Sequence, residues 1–366
     1  MIGLKRKSKG VVLTVVWALV SGLSCMAQAP LSLEESLVPY AGSVVNDVDH
    51  STLHETVMCG YQGWFSHEDD GNGLGNFHWG SVTKNPPRCS VDLWPDMSEL
   101  TPEENFPTRY RHADGSTATV FSSTVKPTVL RHFKWMQEYG IDGVWVQRFA
   151  SQLTEHRKLR KVNTVLNYCR EGANTYGRSF AVMYDTGFNE KTCELMEKDW
   201  RELLEKMELL KTPAYQQHRG RPVIGLWGYG FRSFDKAACE NFLRFLKSEE
   251  GGSCTIMAGV PNDWLSWENG DEKEQAQFRL LCEYIDIVQP WNVGRYKSPE
   301  EAKRHFAKYF PRDTKWCEEN DKDYYAVIFP GFSWTNLRNG EEPLNHIPRL
   351  GGRFLWSQAE LVEKYD

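Results

Sequence analysis

Seven short apolar runs recur along the chain, each separated from the next by a stretch of helical periodicity. No other feature constrains the fold as much. The strand-like runs fall at 56–65, 143–149, 180–186, 222–231, 254–261, 285–291 and 324–329. Helical spacing of apolar residues occupies 125–139, 155–176, 191–210, 235–248, 275–283 and 299–309, and a last helix begins near 352. Strands alternating with helices imply parallel pairing with crossover helices. Seven such units without a linker predict a (β/α)8 TIM barrel rather than a doubly wound sheet, and no dinucleotide-binding glycine fingerprint follows any strand. A closed barrel needs eight strands. The seven found here, with the sequence ending at Asp366 in a helix, predict a barrel that lacks its C-terminal eighth strand.

The organisation expected is one barrel domain over 51–366, carrying a long insertion at 66–124 after the first strand, and preceded by a polar segment at 28–50. Loops of that length are usually functional or hold small elements of their own. The first 27 residues differ in kind. Lys5, Arg6, Lys7 and Lys9 precede an apolar run at 11–23, and small residues follow around Ala27. This is the layout of a secretory signal peptide. The run is shorter than the ~20 residues that span a bilayer, so the expectation is export to the periplasm, the cell surface or the medium, with no transmembrane span. The formal charge of −6 gives no basic surplus for nucleic acid. Nine cysteines are scattered without a Cys-x-x-Cys pair. No zinc site follows, Cys59 and Cys254 read as buried thiols, and at most one or two disulfides are expected.

In a barrel of this kind chemistry gathers at the C-terminal strand ends. The first end delivers Tyr61, Gln62 and Trp64, the second Gln147 and Arg148, the third Tyr184 and Asp185. The fourth offers Trp227 and Tyr229, the fifth Asp263 and Trp264, the sixth Trp291 and Arg295, and the seventh Trp334. Five of the seven ends therefore carry tryptophan, drawn from fourteen in the chain. Indole faces stack on the C–H faces of sugar rings, and amides and carboxylates grip hydroxyls. The alternative is tryptophan serving as core at the barrel mouth. Asp185 is the best carboxylate, because burial at the end of an apolar strand demands a partner; Arg148 and Arg295 are the candidates. Asp263 is the second possible acid, since glycoside hydrolysis normally uses two carboxyl groups. Asp142 and Asp286 stand at strand beginnings and are assigned to stability. His67, Asp69, Asp70, Asn72 and His78 share one loop, but their spacing fails the calcium-loop pattern, and a solvated polar loop is expected there. No metal or cofactor motif is found.

Several segments together resemble a known group: Met58-Cys59-Gly60-Tyr61-Gln62-Gly63-Trp64-Phe65, Val91-Asp92-Leu93-Trp94-Pro95-Asp96, Tyr139-Gly140-Ile141-Asp142-Gly143-Val144, Gln147-Arg148-Phe149, Gln289-Pro290-Trp291-Asn292-Val293-Gly294-Arg295 and Pro330-Gly331-Phe332-Ser333-Trp334. They are similar to exported bacterial proteins related to glycoside hydrolase families 71 and 99, some of them labelled xylosidase/arabinosidase, over about residues 50–366. The resemblance implies a (β/α)8 barrel acting on glycans. Family 99 enzymes, the endo-α-mannosidases, carry two glutamates on the last strand in a Phe-Asn-Glu-Trp-x-Glu-Gly context, and the bacterial group has Phe-Asp-Glu-Val-Asp-Glu-Gly there. No such motif occurs in this sequence. Two expectations follow. One is a glycoside-hydrolase-type barrel of very low activity in this form. The other is a non-catalytic glycan-binding protein serving polysaccharide uptake.

Overall fold

The computed structural model describes residues 31–338 and 346–365; the signal-like segment lies outside them. A short helix, α1 (Leu33–Ser36), opens the described chain, followed by strand β1 (Met58–Tyr61). The insertion then forms two small antiparallel pairs, β2 (Gly80–Ser81) with β3 (Arg88–Cys89), and β4 (Phe106–Arg111) with β5 (Thr117–Val120). These close over a core of their own, built on Trp79, Val82, Phe106, Val120 and Val125.

The repeating unit follows. It runs α2 (Lys126–Glu138), β6 (Gly143–Phe149), α3 (His156–Tyr176), β7 (Ser179–Asp185), α4 (Glu190–Glu205), β8 (Gln217–His218), β9 (Arg221–Trp227), α5 (Lys236–Lys247), β10 (Thr255–Val260), α6 (Glu272–Tyr284), β11 (Ile287–Pro290), α7 (Pro299–Glu319), β12 (Asp323–Tyr324) and α8 (Arg353–Tyr365). Seven strands pair in parallel in the order β1-β6-β7-β9-β10-β11-β12, and β8 is an antiparallel flap on β9. The sheet curls with its helices outside, the arrangement of a (β/α)8 TIM barrel. Among the described residues no ladder joins β12 to β1; the phenol of Tyr325 donates to the Thr56 carbonyl across that opening at 3.3 Å.

Local sequence explains the element ends. Asn189 and Asp271 start α4 and α6 as capping boxes with Thr192 and Glu274. Gly177 ends α3 at φ 59°, the left-handed conformation glycine adopts freely. The expected end of α7 at 309, just before Pro311, is corrected: the helix continues to Glu319. Proline removes one helical donor, while continuation buries Phe310, Asp313 and Cys317. The expected first and seventh strands shorten to four and two residues.

At the foot of the barrel Asp142 accepts from Val57 N, and Asp286 accepts from Ile256 N and Lys247, so both join strand starts as expected of stabilising residues. All eight described cysteines are free thiols; no disulfide forms among them.

Candidate functional site

Parallel register partners face the same way, and successive residues alternate. One set of partners reads Phe149–Asp185–Trp227–Gly259–Gln289, and two residues earlier Gln147–Met183–Gly225–Met257–Ile287. These point into the barrel. The offset set, Arg148–Tyr184–Leu226–Ala258–Val288, points at the helices. Two assignments are corrected by this alternation. Arg148 does not reach the mouth: its Nε donates to Asp199 of α4 at 2.8 Å and its Nη2 to Asn163 of α3 at 2.9 Å. The Tyr184 hydroxyl donates to the same Asp199 at 2.6 Å. Burial and that pairing push the Tyr184 phenol well above its usual value.

Tyr61 also faces outward, its hydroxyl 2.8 Å from His132 Nδ1 on α2. Trp264 is fully buried between α6 and α7, donating to Asp313 at 3.3 Å and meeting Trp316 edge-on. Asp263 and Arg295 are exposed on loops, as is Gln62. Among the described residues no hydrogen bond, ion pair or ring contact joins any of these five to the inward set.

What remains is a contiguous arc. Trp64 is stacked between His78, at 3.9 Å, and Phe149, at 5.2 Å. Phe149 is the register partner of Asp185, and Asp185 of Trp227. Asp185 forms an ion pair with Arg232 at 3.1 Å, so the partner is neither Arg148 nor Arg295. The Arg232 guanidinium also lies 5.3 Å from the Trp227 ring. Trp227 stacks on Phe231 at 5.3 Å and meets Trp291 edge-on at 5.3 Å. Outside this chain of contacts, on the loop after β12, Trp334 sits beside Phe332 at 5.6 Å. Its loop is fixed by Asp92 of the insertion, which accepts from the Ser333 hydroxyl, Thr335 N and Asn336 N.

The arc divides its indoles by what is left uncovered. Trp64 stacks on two rings, and Trp227 stacks on Phe231 with the Arg232 guanidinium over its ring. No ring is stacked on Trp291 among the described residues, and Trp334 carries only the Arg338 guanidinium at 4.9 Å. Trp291 and Trp334 are thus the available stacking surfaces. Gln147 Oε1, Gln289 Oε1 and the Nε1 of Trp64, Trp227 and Trp334 are buried with no hydrogen-bond partner among the described residues. Buried polar atoms rarely stay so without a ligand or water. Gly60 of β1 leaves room beside them: it is exposed, and a Cβ there would meet only Gln147 Nε2, at 3.9 Å.

Burial pushes the Asp185 carboxyl up to about 6, and Arg232 only partly opposes that. Burial, and then the nearby Lys161, depress His78 to about 4, so it stacks on Trp64 as a neutral ring. The expected solvated character of the His67–His78 loop is corrected. His67, Asp70 and Asn72 are buried, and Asp70 gathers His67 N, Asn72 and the Ser122 hydroxyl. Lys161 of α3 donates to the Trp64 carbonyl from beneath.

Arg232 and Phe231 carry no sequence-based assignment to the site, and His78 enters there only as a member of the polar loop and Phe149 only within the Gln147-Arg148-Phe149 segment. Arg232 is the first cation after the fourth strand and was legible. His78 is brought to Trp64 only by the fold of the insertion.

Among the described residues one cluster has metal-ligand character: His54, His218 and Asp323, at the opposite, N-terminal end of the barrel. Its hydrogen bonds do not suit a metal. His218 Nδ1 accepts from Leu53 N at 3.1 Å, which leaves the proton on Nε2, 3.0 Å from Asp323. A metal at Nε2 would need that proton gone and the Leu53 N–H unpaired.

No family model matches the chain, and no curated protein does. Its fold is similar to that of solved glycoside hydrolases. One is the GH99 endo-alpha-mannosidase from Bacteroides thetaiotaomicron, with TM-score 0.57 and 12% identity over 87% of this chain and 82% of that one. The same enzyme in complex with bis-tris-propane gives TM-score 0.52 and 11% identity over 87% and 81%. At this identity the likeness establishes the architecture. No helix among the described residues is long and apolar enough to cross a membrane.

Proposed function

We propose that the protein is exported and acts on poly- or oligosaccharides at the arc Trp64–Asp185–Trp227–Trp291–Trp334, as a glycoside-hydrolase-like barrel. One observation carries this: half-buried indoles after the strand ends accompany buried amide and indole groups that have no hydrogen-bond partner among the described residues. Flat rings with hydroxyl edges satisfy both at once, the C–H face on Trp291 or Trp334 and the hydroxyls on Gln147 and Gln289. The neighbouring fold of glycoside hydrolases supports the choice of ligand. Asp185, raised to about 6 by its burial, is the group suited to exchange a proton in mildly acidic solution.

A second reading has its own support. Among the described residues Asp185 is the one carboxylate of the inward register set, and hydrolysis normally needs two. A glycan-binding protein without turnover fits that count. Calorimetry and product analysis on a panel of xylo-, arabino- and manno-oligosaccharides separate the two. Products lost in Asp185→Asn support hydrolysis, while affinity without products, lost in Trp291→Ala, supports binding alone. Absence of both affinity and products across the panel would sink the carbohydrate assignment. N-terminal sequencing of the protein recovered outside the cytoplasm tests export, with a new terminus near Gln28 expected.

A further inference from the structure

His78, on the insertion, stands at the Trp64 end of the arc in a backbone conformation that side chains rarely take. Its φ is 62°, in the left-handed region, where a Cβ crowds the backbone and glycine sits without strain. Such strain persists only where the surroundings fix the chain, and it gathers at functional sites. Three contacts fix the chain here. Lys161 of α3 donates to the Trp64 carbonyl, Arg160 of α3 donates to the Asn72 carbonyl at 2.8 Å, and the Ser90 hydroxyl donates to the His78 carbonyl. The Lys161 ammonium also lies 4.7 Å from the Phe77 ring. The segment from Trp64 to His78 is thus held by α3 at its start and middle and by Ser90 at its end.

The result lays the imidazole on Trp64, with 3.9 Å between centroids and 21° between planes, and Phe77 edge-on at 4.5 Å. His67, His132, His218 and His305 each place a ring nitrogen within 3.1 Å of a protein hydrogen-bond partner. No hydrogen bond among the described residues uses a ring nitrogen of His78, and neither nitrogen is fully buried. Burial and then Lys161 hold the ring at about 4, so near pH 7 one nitrogen carries a proton and the other a lone pair. A sugar hydroxyl both donates and accepts, and it suits either nitrogen in either tautomer. Glycine would make the same turn with less strain; what it would not supply is the ring.

We propose that His78 is a binding residue of the glycan site, an imidazole nitrogen meeting a hydroxyl of a sugar ring that lies against the Trp64 end of the arc. The inference rests on the carbohydrate reading of the mouth and extends the site from the strand ends onto the insertion.

The test pairs calorimetry with nitrogen NMR on the full chain, using a panel of xylo-, arabino- and manno-oligosaccharides. His78→Phe keeps a flat ring at Trp64 and removes both nitrogens. Affinity is expected to fall roughly tenfold, the loss of about one hydrogen bond, with the melting temperature unchanged. In the wild-type protein, saturating oligosaccharide is expected to shift the ring-nitrogen resonances of His78 and to leave those of His54, exposed at the other end of the barrel, in place. The wild-type measurement decides the matter should His78→Phe fold poorly. Affinity lost in the variant while the wild-type His78 resonances stay unmoved makes the residue structural and overturns the proposal, as does a variant that binds as tightly as the wild type. With Trp291→Ala still weakening binding, either result leaves the mouth intact. Failure of every glycan to bind overturns the mouth and the role of His78 together.

Discussion

Arg148 and Gln147 are neighbours on one strand, and Tyr184 and Asp185 on the next, yet each pair splits between two environments. Arg148 and Tyr184 turn to the helical layer and share Asp199 in a dry network that also takes in Asn163. Gln147 and Asp185 turn inward, where Gln147 Oε1 has no partner among the described residues and Asp185 has only the half-exposed Arg232. The outward pair shares one buried carboxylate, though Arg148 Nη1 is left without a partner among the described residues, and the inward pair shares none. A strand's alternation thus assigns stability and ligand contact to consecutive residues, and the polar chemistry alone does not say which is which.

The largest effect is expected from breaking the outward pair. Arg148→Met strands a buried carboxylate on Asp199 and costs about 3–5 kcal/mol of stability, read by chemical denaturation. Glycan affinity of the folded variant stays as in the wild type. A loss of affinity at unchanged stability would put Arg148 in the site after all.

Asp185→Asn sharpens the other side through pH. The folded carboxyl titrates near 6 against 3.8 unfolded, so the native state holds the proton more tightly. Its contribution to stability is then present below about pH 4 and is lost as pH rises through 6. Against the wild type, the asparagine variant is expected to gain on the order of 2–3 kcal/mol above pH 6 and nothing below pH 4. Equal stability of the two proteins across this range would mean that the carboxylate is solvated and not set in the wall.

Trp291→Ala comes next, and it acts on binding. The ring is half-buried, with one edge-on neighbour, so its removal leaves no large cavity. Affinity for a bound oligosaccharide is expected to fall by roughly tenfold or more, as for truncated aromatic hot spots. Stability changes by about 1 kcal/mol. The reverse pattern, a large loss of stability with affinity kept, would make Trp291 a plug of the barrel mouth.

Much of this frame was legible in the sequence because period governs it. The six crossover helices and the strands at 143–149 and 180–186 follow from hydrophobic runs that the sheet and helix layers must bury. The strand-end tryptophans followed from the barrel geometry in the same way. Trp264 was misjudged because the chain turns into a 3-10 helix directly after Asp263, which carries the indole behind the barrel to Asp313. Tyr61 and Arg148 were misjudged by one residue of phase. The insertion was the least legible part. Its core and its buried His67–Asp70–Asn72 network depend on contacts between segments tens of residues apart, such as Asp70 with Ser122, and no local period announces them.

The smallest effect belongs to the opposite end of the barrel, where polar groups are again paired. His218 bridges Leu53 N, just ahead of β1, and Asp323 of β12, tying together the two strands that no ladder joins. His54 only lies edge-on to it at 4.9 Å and is exposed. His54→Ala is expected to change stability by no more than about 0.5 kcal/mol, as for surface substitutions away from such links. Zinc added in excess is expected to leave the melting temperature where it was, because a ligand raises stability only by binding the native state preferentially. A zinc-dependent rise that disappears in His54→Ala would show a metal centre at this end, with His218 in the other tautomer and the link to Leu53 broken.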